Sequence, residues 1–108
     1  MTNSQKLAIE KIRRLADKFY LEERDGYELK SWRVEDCGKF TSVILEYGLI
    51  GDEGTLAILA RGHAHLFVGK KGGITYPVNK ILKNGEYKWY KKTFKGYSIL
   101  QAVCDQRI

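Results

Sequence analysis

The chain has 108 residues, 44% of them hydrophobic and 30% charged, with a single proline and a formal net charge of +6. One domain of this length buries somewhat more than about 60% of its unfolded surface, enough for one modest core, and the apolar content excludes a disordered chain. The polar start MTNSQK, and apolar runs far short of the roughly 20 residues that span a bilayer, predict a soluble cytoplasmic protein with no signal peptide and no membrane contact.

From Thr2 to about Glu22, Ala8, Ile12, Leu15, Ala16 and Phe19 recur at three- and four-residue spacing, which predicts an amphipathic helix. Thr2 with Gln5 can cap its start. Lys6, Glu10, Arg13, Arg14, Asp17 and Lys18 make a mixed-sign face that reads as solvated, and Asp25-Gly26 turns the chain. Beyond Tyr27 the period shifts toward two. Tyr27–Val34, Phe40–Tyr47, Thr55–Arg61 and His63–Val68 are rich in aromatic and β-branched residues and are separated by glycine-containing breaks. The expectation is a meander of antiparallel strands, with Phe40–Tyr47 and Thr55–Arg61 central beneath the helix.

Lys70-Lys71-Gly72-Gly73 reads as a hairpin turn into Ile74–Val78, where Pro77 favours an edge strand or a strand end. Asn84-Gly85 is a strong hairpin signal, and a two-residue turn there pairs Lys83 with Glu86, Leu82 with Tyr87 and Lys80 with Trp89. A helical turn over Val78–Lys83 is the rival. Tyr87–Lys95 is a strand presenting Tyr87, Trp89, Lys91 and Thr93 on one face and Lys88, Tyr90, Lys92 and Phe94 on the other. Ser98 with Gln101 resembles a capping box, so Ile99, Leu100 and Val103 belong to a short C-terminal helix, with a closing strand as the alternative. The predicted fold class is α+β, one N-terminal helix on an antiparallel sheet of five to six strands with a short C-terminal element.

Charge is segregated along the chain. Lys70 to Tyr97 holds eight lysines against Glu86 alone, a local charge of +7, so the remainder carries −1. Residues 22–53 hold nine acids against four bases, and a fold that keeps the two segments apart makes an electrical dipole. Lysines interleaved with aromatic rings suit phosphate backbones, exposed bases or an acidic protein face. Lysine rather than arginine fits backbone phosphate better than bidentate base reading. The candidate contacts are Lys70, Lys71, Lys88, Trp89, Tyr90, Lys91, Lys92 and Lys95. The bland reading packs Tyr87, Trp89, Tyr90 and Phe94 into the core, with lysines guarding an edge strand.

Weaker signals lie elsewhere. His63 and His65 point to one side of a strand, a spacing compatible with two metal ligands, but no third ligand is evident. With Arg61 they would form a ribonuclease-like set only beside Lys88 or Tyr90. Gly69 to Gly73 lacks the spacing and the ending of a phosphate loop. Cys37 and Cys104 read as free thiols. No catalytic residue, metal site or cofactor is assigned, and the oligomeric state is left open. A salt-sensitive subunit pairing acidic and basic segments head to tail is a further reading.

Asp36, then Gly38-Lys39-Phe40 opening a strand after an N-terminal helix in a compact chain of this length, resembles some small phage-encoded anti-CRISPR proteins. The resemblance implies a phage or mobile-element inhibitor of a nucleic-acid-processing effector such as a CRISPR nuclease, and carries over no functional residue. The function expected from the residues themselves is non-catalytic: a basic, aromatic face docking on nucleic acid or on a nucleic-acid-binding protein.

Overall fold

The computed structural model describes residues 1–18, 26–51, 63–96 and 99–106, with the backbone alone at 79–81. Helix α1 spans Asn3–Lys18. Its start is a capping box, in which the Thr2 amide donates to Gln5 Oε1 at 2.8 Å and the Gln5 amide donates to Thr2 Oγ1 at 3.2 Å. The same two residues tie the helix to the sheet. Thr2 Oγ1 donates to the Lys70 carbonyl at 2.6 Å and Gln5 Nε2 to the Val68 carbonyl at 3.2 Å. Ala8, Ile12 and Ala16, four residues apart, form the buried stripe of α1. Phe19 and the rest of the predicted helix lie outside the described residues, as does the predicted strand Thr55–Arg61.

Among the described residues, five antiparallel strands follow in the spatial order of the chain: β1 (Tyr27–Asp36), β2 (Phe40–Leu49), β3 (His63–Gly69), β4 (Ile74–Ile81) and β5 (Tyr87–Thr93). A further helix among the described residues, α2 (Ile99–Asp105), lies near the end of the described chain, so the helical alternative for the C-terminal element holds. The fold is α+β. Val43, Leu45 and Tyr47 of β2, Ala64, Leu66 and Val68 of β3, and Ile74 and Tyr76 of β4 form one cluster with Ala8, Ile12 and Ala16 of α1 and Ile99, Ala102 and Val103 of α2. Both helices therefore cover one face of the sheet. Alternation places Ile44, His63, His65, Phe67, Thr75 and Pro77 on the other face.

Proline chemistry predicts an edge or a strand end for Pro77, but β4 lies between β3 and β5. The ladder explains how this is tolerated. The Gly69 amide donates to the Gly73 carbonyl at 2.9 Å, so bonding pairs recur at Phe67–Thr75 and would recur at His65–Pro77. Proline has no N–H to give there. The β3–β4 pairing stops at Phe67–Thr75, while the His65 amide donates instead to Gln106 Oε1 at 2.9 Å. Gln106, the residue after α2, thus satisfies the β3 amide at the point where the pairing with β4 ends, and Pro77 sits beyond that pairing.

Asn84-Gly85 does make a hairpin, and the helical rival fails. The register nevertheless differs from the expected one: Ile81 pairs with Tyr87, Lys80 with Lys88 and Asn79 with Trp89. The Leu82 amide donates to the Glu86 carbonyl and the Gly85 amide to the Leu82 carbonyl, leaving three residues in the loop. Gly85 takes φ +83°, the left-handed position that closes such a three-residue turn.

Candidate binding surface

Strand β5 is an edge strand whose two faces meet different surroundings. Val78 faces the core side and pairs with Tyr90, and Tyr76 pairs with Lys92, so Lys88, Tyr90, Lys92 and the buried Phe94 lie on the helix-covered side. Tyr87, Trp89, Lys91 and Thr93 lie on the opposite side. The exposures decide between core and contact: Trp89 is 58% and Tyr87 59% exposed, Tyr90 is 37%, and Phe94 is 6%. Only Phe94 is a core residue. The Phe94 amide donates to the Ile74 carbonyl, and the two-residue alternation that follows aims the amides and carbonyls of Tyr87, Trp89, Lys91 and Thr93 away from β4.

The predicted lysines are divided among three settings. Lys88, Lys91 and Lys95 are exposed, and among the described residues no acid pairs with them. Lys88 stands over the Tyr90 ring at 5.5 Å. Lys70 and Lys71 sit in the β3–β4 turn. Lys70 faces Asp36, whose carboxyl is held below its ordinary range first by the Gly38 amide at 3.0 Å and also by the N-terminal ammonium and Lys70.

Lys92 is structural. Its Nζ donates to Asp105 Oδ2 at 2.8 Å and the Tyr76 hydroxyl donates to the same oxygen at 2.7 Å, which ties α2 to β4 and β5. Lys92 and then Tyr76 hold the Asp105 carboxyl low; the hydrogen bond to Asp105 raises Lys92; burial, then the Asp105 bond, pushes Tyr76 up to about 12. Because the folded Asp105 pKa is lowered, its stabilisation is full above the unfolded carboxylate value near 3.9 and is lost as pH falls below it. Lys92 and Tyr76 are raised, so their share is full below about 10 and is lost at higher pH, that of Tyr76 as pH rises toward 12. Thermal unfolding across that range is expected to show both limbs, with Asp105→Asn flattening the acid one. A variant profile parallel to the wild type would refute the tie.

At the far edge, β1 carries Glu28, Glu35 and Asp36 with Lys30 and Arg33, and ion pairs join Lys30 to Glu28 and Arg33 to Glu35. This edge is locally balanced, at −1, about 19 Å from β5 at ordinary strand spacing and beyond a Debye length of about 8–10 Å. Among the described residues the charge asymmetry therefore comes mainly from the positive side. The other acids of residues 22–53, Glu46 apart, lie outside the described residues.

His63 and His65 share the face that the helices leave open, whereas Lys88 and Tyr90 lie on the other, so the ribonuclease-like set does not assemble there; Arg61 is outside the described residues. His65 Nε2 is hydrogen-bonded to Ser42 Oγ, its ring packs on Phe67 at 4.5 Å, and burial pushes its pKa down. Among the described residues no group of three His, Cys, Asp or Glu side chains could hold a metal ion, and no helix is long and apolar enough to cross a membrane. Cys37 and Cys104 are free and exposed.

Two contributors are not evident from sequence. The residue pattern puts Tyr87 on a strand face without marking it as a contact, and its exposure supplies the missing datum. Lys11 is an ordinary helix lysine by spacing, yet it flanks the stripe of Ala8 and Ile12 and so reaches the end of β5. Comparison with protein-family models, with curated proteins and with solved structures finds no match.

Proposed function

We propose that the chain is a non-catalytic binder of single-stranded nucleic acid, with the β5 edge as its contact surface. The observation that carries this reading is the interleaving, along one edge strand, of more than half-exposed Tyr87 and Trp89 with exposed Lys88 and Lys91, which have no acidic partner among the described residues. Exposed rings offer stacking platforms to unpaired bases, and lysines meet the backbone phosphates at ring-to-ring spacing along a strand. A duplex hides its bases from such rings, which favours the single strand. The absence of arginine from this edge supports binding without sequence preference.

The inhibitor reading implied by the resemblance to anti-CRISPR proteins would have to use this same face. Nucleic-acid channels are themselves cationic, so a +7 segment is repelled by an empty one. An inhibitor of this charge would act by holding the exposed strand or an acidic flank of the effector.

The test is titration of intrinsic fluorescence with an oligothymidylate of about 12 nucleotides over a salt series. Trp32 is half-buried beneath Arg13, so a Trp89→Phe control assigns the signal to Trp89. The expected result is quenching with a steep salt dependence. Trp89→Ala should lower affinity by about 1–3 kcal/mol, roughly 5- to 150-fold, with its fold intact because the ring is solvent-facing. Saturable quenching that ignores salt, or no quenching, would sink the proposal.

A further inference from the structure

Beyond the end of β5 lies a groove of about 480 Å³ between α1 and the β3–β4 turn, and among the described residues no acid lines it. Leu7, Ile74 and Phe94 form its apolar walls, Thr93 continues it from β5, and Lys11 and Lys71 supply two cations from different elements. The Lys11 side chain reaches over Gly96, its ammonium 2.5 Å from where a Cβ would stand, and the φ of +78° is what favours glycine at this position. Lys95, exposed, adjoins Gly96. Among the described residues neither Lys11 nor Lys71 has an acidic partner.

Two ammonium groups lining a groove with no acid among its described residues, with exposed Lys95 beside Gly96 in the chain, make a cradle for backbone phosphate. We infer that a nucleic-acid strand bound along β5 continues past Thr93 into this groove, with Lys11, Lys71 and Lys95 taking its phosphates. The inference rests on the proposed β5 contact and extends it across a second element. It gives the bound strand a fixed path: one end over Trp89 and Tyr87, the other between the helix and the turn.

The experiment compares an oligothymidylate of about 4 nucleotides with one of about 16, spanning the range of single-strand site sizes. Lys11→Ala with Lys71→Ala should weaken the longer oligonucleotide at least tenfold and reduce its salt slope by about 1.4, since each phosphate no longer neutralised lowers the slope by about 0.7. The Trp89 quenching by the short one should be unchanged. Arg33→Ala on the far edge β1, which removes one charge remote from the groove, should alter neither. Equal losses for both lengths, or for the Arg33 variant, would show general electrostatics and overturn the cradle, as would an unchanged longer complex. A wild type that binds neither oligonucleotide removes the β5 reading itself, and that outcome is separate from a loss confined to the double variant.

Discussion

Lys88→Glu, Lys91→Glu and Lys95→Glu made together are expected to weaken oligothymidylate binding by more than about a hundredfold while the thermal transition persists. At about 1.5 kcal/mol for each charge-assisted bond to phosphate, removing three exceeds that factor before repulsion is added. The local charge of the segment from Lys70 to Tyr97 falls from +7 to +1. None of the three lysines has an acidic partner among the described residues, so reversal breaks no ion pair of the fold. Lys92 is left in place deliberately. A carboxylate there would face Asp105 and detach α2, confusing lost binding with lost structure. Affinity within a few-fold of wild type, with circular dichroism unchanged, would remove β5 from the binding surface.

The largest stability effect is expected at Tyr47. Its side chain is fully buried, and its hydroxyl donates to the Ala16 carbonyl at 2.7 Å. Tyr47 therefore both fills the layer between helix and sheet and ties α1 to β2. Tyr47→Ala should cost about 3–5 kcal/mol by analogy with other large-to-small aromatic losses, a large share of the roughly 5–15 kcal/mol that holds a domain together. Tyr47→Phe should cost about 0.5–1.5 kcal/mol, the net contribution of the lost hydrogen bond. Urea unfolding of the pair separates ring from hydroxyl; equal costs would mean that the ring contributes nothing beyond its hydrogen bond.

Oligonucleotide binding and stability are expected to separate cleanly along the chain. The Trp89 and Lys88 substitutions touch solvent-facing groups, whereas Tyr47 and Asp105 act on the layer that holds the helices. A Trp89→Ala variant that unfolds would contradict the exposure of the ring and return it to the core.

Much of the fold is legible in the sequence because its signals are local. The four-residue recurrence of Ala8, Ile12 and Ala16, the reciprocal bonds of Thr2 and Gln5, and the period-two run through β5 each depend on neighbours a few positions apart. Local stereochemistry therefore wrote the helix, its cap, the strands and the two faces of Tyr87–Thr93 into the sequence, along with the segregation of eight lysines into one stretch. Tertiary structure decided the rest. The hairpin register turned on whether Asn84-Gly85 closes a two- or three-residue loop, a difference of one residue that local propensity does not resolve. Pro77 is tolerated because the β3–β4 pairing has already ended at Phe67–Thr75, and the amide of His65 is taken by a distant residue, Gln106. Lys92 and Lys91 are neighbours with the same chemistry, yet one is bound to Asp105 and the other is open to solvent. Their pleat positions differ, and only packing determines which side of a strand meets a helix. The groove of Lys11 and Lys71 brings together residues sixty positions apart, and no spacing along the chain encodes a juxtaposition that the close approach of helix to turn creates.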